Sequence, residues 1–301
     1  METNLNNENR KVILAYIAVC ILWGSTYLAI RVGVGELPPT IFAGVRFLIA
    51  GSLMFCFASF KGLSMPKNIS EVIKISIVGF LLLTCGNGSI VWAETHISSG
   101  MASLMIAVGP LFTAIIEWII PGGAKMNKMG WLGLFIGFSG VAVLVFTDLS
   151  SSSMDVFGVT MAIISSLTWS LGSIYSKKVF TNASTVTIIA IQMLAGGLFL
   201  SIIGSFMGEL SILHISPKGI MSILYLIIFG SLIGYSCYIY ILEKWPAAKA
   251  ATYAYVNPPV AVILGVIFLG EKITLKIVIA SIIILSGVIL VQTSKKSLVT
   301  N

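Results

Sequence analysis

Six polar or aromatic side chains in the apolar stretches of this chain have the chemistry to hold a small organic molecule. Two are tryptophans, two are tyrosines and two are asparagines: Trp23, Trp169, Tyr235, Tyr253, Asn87 and Asn257. The rings supply apolar contact area, and the indole, hydroxyl and amide groups supply hydrogen bonds that orient a solute. The sequence therefore predicts that these six residues bind substrate.

Alternatives stay open for these residues. Tryptophans and tyrosines also gather at membrane interfaces, but Trp169, Tyr235 and Tyr253 lie deeper in their stretches than typical interfacial anchors. Asn87 lies between two glycines, which let another helix or a ligand approach closely. Both an interhelical hydrogen bond and a place in a cavity wall are consistent with its position.

Arg46 and Glu94 are candidates for coupling or charge recognition. An Arg inside an apolar stretch costs roughly 2.5–3.5 kcal/mol to insert into a membrane, so it is expected to face protein or a partner. Arg46 fits anion binding, a structural lock, or snorkelling of its long side chain towards the outer headgroups. Glu94 and Glu243 occupy corresponding helix ends, and Glu117 is interpreted as interfacial with a gating contact as the alternative. Since every acid maps to a loop, tail or span end, uniport and proton antiport both stay open.

Catalytic and nucleotide-binding motifs are missing from the sequence. It contains no G-x-x-x-x-G-K-[ST] and no H-E-x-x-H, and its two histidines fall at outer loops or helix ends. The four cysteines lie in apolar stretches without paired spacing, which is typical of packing residues. We therefore expect no enzyme activity, no cofactor, no metal and no nucleic-acid partner.

The elements that must position these residues are membrane-spanning helices. Hydrophobic residues make up 57% of the 301 and charged residues 10%, with a mean hydropathy of +1.02, whereas soluble domains are about 25% charged. Crossing a bilayer takes roughly 20 apolar residues. Ten stretches qualify: 12–33, 38–60, 71–92, 98–120, 128–147, 155–176, 185–207, 217–241, 248–269 and 275–293. The predicted fold is all-α, a polytopic membrane protein of ten helices with the lipid bilayer as its solvent.

The charge distribution predicts the orientation of these spans. The chain has 18 Lys and Arg residues and a net charge of +7. Numbering the loops alternately places Arg31, Lys218, Lys272 and Lys276 outside, Arg46 within a span, and all the others on the side of the N-terminus. This bias predicts that both termini lie in the cytoplasm. The excess of Lys and Arg therefore indicates the orientation of the chain in the membrane.

An internal repeat divides the chain into two halves, 12–147 and 155–293. Trp23 and Arg31 recur 146 residues later as Trp169 and Lys177, and Glu94, Ala102 and Pro110 recur 149 residues later as Glu243, Ala251 and Pro259. Each half holds five predicted spans, and an odd number inverts the second half relative to the first. Inverted repeats are typical of secondary transporters with sites near the membrane midplane. Duplication kept only for packing is the alternative.

Helix breakers lie at equivalent depth in the two halves. Gly109 and Pro110 fall in the middle of the fourth predicted span, and Pro258 and Pro259 in the middle of the ninth. Irregular backbone at this depth should face protein or a wet cavity, and paired interruptions in two halves point to a transport site. We predict helix breaks with a gating role at all four residues, with a packing kink as the alternative. G-x-x-x-G at 133–137, 204–208 and 230–234 favours close helix packing and leaves a homodimer open.

The sequence resembles a known family at several motifs. They are "WGSTYLAIRVG" (23–33), "PPTIFAGVRFLIAG" (38–51), "GNGS" (86–89), "SGMASL" (99–104), "TYAYVNP" (252–258) and "GEKIT" (270–274). The resemblance is to the EamA-type permeases of the drug/metabolite transporter superfamily, above all their YedA-like exporter branch. It implies two inverted five-helix repeats around a central cavity. The family's Gly-Glu pair is kept at Gly270-Glu271, but the first half reads "PGGAK" (121–125) and lacks that Glu.

These observations together predict a secondary transporter in the cell membrane that exports small organic solutes, such as amino acids, metabolites or drugs, by alternating access. Export is what the resemblance implies. A non-transporting receptor or assembly protein is the alternative, and an intramembrane enzyme is a weaker one.

Overall fold

The computed structural model is helical throughout the residues it describes, which are 2–97, 99–121, 123, 126–148, 155–269 and 275–293. Within these ranges there are twelve α-helices. They are α1 Glu2–Val34, α2 Pro39–Phe60, α3 Ile69–His96, α4 Ser99–Ile106, α5 Gly109–Ile119, α6 Lys128–Asp148, α7 Val156–Ser176, α8 Thr185–Phe206, α9 Pro217–Lys244, α10 Ala247–Ala251, α11 Tyr253–Leu269 and α12 Leu275–Thr293. The predicted all-α class is confirmed.

Several helices start where a short polar side chain satisfies a free backbone donor. Asn68 accepts from the amide of Glu71 at 2.9 Å ahead of α3, and Asp155 accepts from that of Gly158 at 3.1 Å ahead of α7. Ser216 does the same for α9. These caps fix the helix starts close to the predicted span edges.

Six helices are long and apolar enough to cross a bilayer by themselves: α1, α2, α3, α7, α8 and α9. Each covers one of the ten predicted spans. The fourth predicted span is divided between α4 and α5 and the ninth between α10 and α11, while α6 and α12 cover the fifth and the tenth. The presence of several spanning helices agrees with the composition, and the count of ten stays a prediction.

Corresponding helices of the two halves pack along each other. Helix α2 lies along α8, and α6 lies along α12. Glycines allow the close approach: a Cβ at Gly197 would stand 2.8 Å from the amide nitrogen of Leu48, and one at Gly133 would stand 2.8 Å from the carbonyl oxygen of Gly287.

All three G-x-x-x-G motifs are used inside the chain. The motif at 133–137 packs against α12 and α11, and the motif at 230–234 packs against α1. In the motif at 204–208, Gly204 packs against α2 and Gly208 lies in a turn with a φ of +77°. They therefore give no support to a homodimer.

Helices α3 and α9 each contain a stretch of π-helix, Phe80–Asn87 and Leu226–Tyr235. The two stretches start 146 and end 148 residues apart, within the range of offsets seen in the sequence repeat. π-helical turns often occur at functional sites. The sequence reasoning did not foresee them.

The two predicted helix interruptions differ. Helix α4 ends at Ile106 and α5 begins at Gly109, so the interruption beside Pro110 is present. The predicted break at Pro258 and Pro259 is wrong, because α11 runs through both prolines and the interruption lies six residues earlier, at Thr252. The break is held there by hydrogen bonds from the Thr252 hydroxyl to the carbonyl of Lys249 and with the hydroxyl of Tyr16, both at 2.8 Å.

Candidate functional site

A cavity lies where helices of both halves meet. It has a volume of about 70 Å³, which at 10–15 Å³ each is room for roughly five to seven water molecules. Its wall draws on α1, α2, α3, α4 and α5 from the first half and on α7, α9, α10 and α11 from the second. Both π-helical stretches and the ends of both interrupted spans contribute to the wall.

Nine of the twelve predicted site residues line this cavity. They are Trp23, Asn87, Trp169, Tyr235, Tyr253, Asn257, Gly109, Pro110 and Arg46. Pro258, Pro259 and Glu94 are not among the lining residues. The structure thus brings all six predicted substrate-binding residues together, and their part in binding stays a prediction.

An aromatic cluster forms one wall. The ring centroid of Trp23 lies 5.3 Å from that of Trp169, 4.9 Å from that of Tyr253 and 5.1 Å from that of Tyr238. The Trp23 indole nitrogen donates to the carbonyl of Gly230, in the second π-helical stretch, at 3.0 Å. These rings offer an apolar face of fixed geometry to a solute.

Serines of α7 also line the wall, and the sequence reasoning missed them. Ser165 donates to the carbonyl of Gly86 at 2.7 Å, and Ser166 donates to that of Ile106 at 3.4 Å. Ser170 donates to the carbonyl of Gly109 at 3.2 Å. Each acceptor lies in irregular backbone, which within a membrane must find donors from neighbouring helices.

The signal for these serines was visible in "SSLTWS" (165–170), where Ser166 and Ser170 are four residues apart and so lie on the same face of a helix as each other, next to Ser165. Their hydroxyls donate to backbone carbonyls in the first π-helical stretch and at the α4–α5 interruption. These hydroxyl donors are therefore used within the protein.

Two predicted binding residues also have protein partners. The Tyr235 hydroxyl donates to the Gln192 side-chain oxygen at 2.8 Å. When the side-chain amide of Asn257 is oriented with its nitrogen towards the carbonyls of Tyr253 and Cys20, it donates to both, at 3.3 Å each. Asn257 therefore ties α11 to α1 in addition to lining the cavity.

Arg46, Asn87 and Trp169 have buried polar atoms without partners. Arg46 is 4% exposed, its Nε donates to Ser231 at 3.0 Å, and its guanidinium lies 4.4 Å from the ring centroid of Phe47. Its Nη1, the Oδ1 of Asn87 and the Nε1 of Trp169 are buried without a hydrogen-bond partner. Snorkelling of Arg46 to the membrane surface is wrong as an interpretation, because its side chain turns inward to α9.

The acids that correspond in sequence have opposite surroundings. Glu94 is buried, and neither of its carboxylate oxygens has a hydrogen-bond partner, although Arg31 donates to its main-chain carbonyl. Glu243 is exposed and accepts from the hydroxyl of Thr185 at 2.6 Å. Within the described residues, no group of three or more His, Cys, Asp or Glu side chains could hold a metal ion.

Glu117 is buried near the end of α5, and its place at the membrane interface stays a prediction. Its carboxylate oxygens accept from the amides of Ala247 and Ala248 at 3.1 and 3.2 Å. The free donors at the start of α10 favour a carboxylate there. Gly270-Glu271 lies outside the described residues.

Comparisons with known proteins give a consistent result. The family model described as the EamA-like transporter family matches residues 10–146 and again 156–293. The inner membrane transporter YedA of Escherichia coli (strain K12) is 36% identical over 282 residues, which cover 93% of this chain and 90% of YedA. The transporter YvbV of Bacillus subtilis (strain 168) is 27% identical, with 95% and 92% covered. One crystal structure superposes with a TM-score of 0.75 at 18% identity, covering 93% of this chain and 96% of the other, and shows a shared fold.

Proposed function

Because this chain belongs to the EamA-like transporter family, we propose that it is a secondary transporter that exports small organic solutes by alternating access. It is a multi-pass membrane transporter of the plasma membrane. The proposal adds the direction, the mechanism and the class of solute, which includes amino acids, metabolites and drugs.

The observation that carries the proposal is the cavity between the two segments that the family model matches. Its wall combines residues of 10–146 with residues of 156–293. A site in this position is reached from opposite sides of the membrane when one segment rocks against the other. The small cavity with its aromatic wall suits a solute that is largely apolar and carries few polar groups.

The proposed architecture is ten helices in two inverted repeats of five, with both termini in the cytoplasm. The packing of α2 along α8 and of α6 along α12 supports it, since these are the second and the fifth spans of each half. The offset of the π-helical stretches and the distribution of Lys and Arg support it too. In this arrangement the interruption at 107–108 lets α4 and α5 move separately. The interruption at Thr252 does the same for α10 and α11.

The test begins with purified protein. A thermal-shift screen against a metabolite library identifies a stabilising solute, and proteoliposomes are then preloaded with that solute. We expect counterflow of radiolabelled solute above the level of empty liposomes. Binding without flux would contradict transport and favour a receptor or an assembly protein.

A matched pair of variants links flux to the cavity. Trp169→Ala removes a ring from the cavity wall, whereas Trp118→Ala removes a ring that is 61% exposed at the end of α5. We expect Trp169→Ala to lower counterflow at least about tenfold, because loss of a large, partly buried ring removes several kcal/mol of packing and contact. Trp118→Ala should keep counterflow near the wild-type level.

A further inference from the structure

We propose that the cavity binds a monoanionic organic acid, with its carboxylate on Arg46 and a hydrogen-bond donor of the same molecule on Asn87. This inference rests on the proposed function, because it names the solute class of the same cavity.

The first step concerns charge. Among the described residues that line the cavity, Arg46 is the one with a charged side chain. A guanidinium stays protonated in proteins, and a buried charge is costly unless it is paired. Ser231 accepts from Nε but brings no negative charge. The compensating anion must therefore come from the contents of the cavity.

The second step concerns geometry. Nη1 of Arg46 is buried and has no partner. Its guanidinium also lies beside Gly230, where a Cβ atom would stand 3.6 Å from Nη2 of Arg46 and 3.3 Å from Thr26. A guanidinium binds a carboxylate more strongly than any neutral acceptor. Nη1 is therefore the charged donor that is left for a carboxylate oxygen.

The third step concerns the unpaired acceptor of the wall. Nε1 of Trp169 is a further buried donor without a partner, whereas the Oδ1 of Asn87 is a buried acceptor without a donor. Because most other polar groups of the wall are bonded within the protein, a hydroxyl or amide N–H of the solute is the donor that this atom lacks. The aromatic cluster around Trp23 then covers the apolar body of the solute.

The fourth step excludes a zwitterion as the best fit. No Asp or Glu lines the cavity among the described residues, so an ammonium group would have no carboxylate to pair with. The carboxylate of a zwitterion would pair with Arg46, but its ammonium group would leave the cavity with a net positive charge. A single negative charge balances the cavity, and this points to a hydroxylated monocarboxylate.

The test compares three probes on the purified full-length protein in detergent, by isothermal titration calorimetry. The probes are 4-hydroxybenzoate, its neutral isostere 4-hydroxybenzamide, and benzoate, which lacks the hydroxyl donor. Hydrogen bonds to charged groups are strong enough that we expect 4-hydroxybenzoate to bind about 30-fold more tightly than the amide. Benzoate should fall about fivefold below 4-hydroxybenzoate, because the Asn87 acceptor then stays unpaired.

Variants then assign the preference to Arg46. Arg46→Gln should remove the preference for acid over amide, and Arg46→Lys should retain part of it. Lys218→Gln makes the same change of charge at an exposed position at the start of α9 and should leave the preference intact. The comparison of acid and amide on the wild-type protein stands even where a variant of Arg46 does not fold.

Three results would overturn the inference: equal binding of acid and amide, no binding of either acid, or an unchanged preference for the acid in Arg46→Gln. Flux of neutral solutes without acid binding would also overturn it, but would still support the proposed transport function. Acid binding without flux in proteoliposomes would support the anion site while overturning the proposed transport function.

Discussion

The two halves of the cavity wall have similar backbones and different chemistry. The first half contributes the charged donor Nη1 of Arg46 and the acceptor Oδ1 of Asn87, both buried without partners. In the second half, the lining hydroxyls of Ser165 and Tyr235 donate to Gly86 and Gln192, and Nε1 of Trp169 is buried without a partner. The backbone irregularities recur in both halves, whereas the charged group of the wall and its unpaired acceptor lie in the first.

Corresponding positions show how the halves have diverged. At an offset of 146 residues Gln192 corresponds to Arg46 in the sequence, and the side-chain oxygen of Gln192 accepts from Tyr235. Glu94 is buried without partners while Glu243 is exposed. The side chains at corresponding positions therefore differ, and function has to be argued for each residue in its own half. Three pairs of variants test this difference.

The largest effect on flux is expected at Asn87. Asn87→Ala removes an acceptor without a protein partner, so we expect solute flux to fall about fivefold while the free energy of unfolding changes by less than about 0.5 kcal/mol. Counterflow and denaturant titration measure the two quantities on one preparation. A large loss of stability with normal flux would show that Asn87 is an interhelical lock.

The matched variant in the second half is Tyr235→Phe, at the end of the other π-helical stretch. It leaves the buried acceptor of Gln192 without its donor, so we expect unfolding to require about 1 kcal/mol less. Flux should stay above half of the wild-type value, because that hydroxyl is already used inside the protein. Loss of flux at unchanged stability would remove the distinction between the two halves.

A smaller effect separates the two acids. If Glu94 exchanges protons during transport, Glu94→Gln should flatten the dependence of flux on pH, because glutamine cannot titrate. Arg31 and Tyr27 of α1 are the charged and titratable groups that face Glu94. We expect a change of about threefold in the ratio of flux at two pH values one unit apart, which is about 0.7 kcal/mol.

Glu243→Gln is the control. Because the carboxylate of Glu243 is exposed, this variant should have the same pH profile of flux as the wild type. An unchanged profile in Glu94→Gln would remove Glu94 from proton coupling and leave uniport. Equal changes in both variants would show that the helix ends are equivalent in spite of their different burial.

Much of this fold follows from composition, since long apolar stretches in a bilayer have to be helical. Six predicted binding residues also meet at one cavity, because deep aromatic and amide side chains in apolar helices have little else to face. The π-helical stretches could not be foreseen, because they depend on contacts such as Gly79 against α8 and Trp23 against Gly230. Nor could the burial of Glu117, since its partners lie 130 residues further along the chain.

The smallest effect separates the two prolines. Pro110 lies in the first turn of α5, and the carbonyl of Ile106, which its missing N–H would have met, accepts from Ser166 instead. Pro259 lies inside α11, so the carbonyl of Tyr255 lacks its helical donor. Proline also restricts the unfolded chain, by about 0.4–1 kcal/mol. Pro110→Ala loses that restriction and gains no bond, so its unfolding free energy should fall by about 0.5 kcal/mol.

Pro259→Ala loses the same restriction and gains a backbone hydrogen bond of similar size, so its stability should stay within about 0.3 kcal/mol of the wild type. Denaturant titrations of the two variants side by side measure this difference. If both variants lose the same stability, the carbonyl of Tyr255 already has a donor from another helix, and the two prolines act alike despite their different positions. If Pro259→Ala also slows counterflow, its missing N–H serves movement of α11, and the second half contributes more than shape.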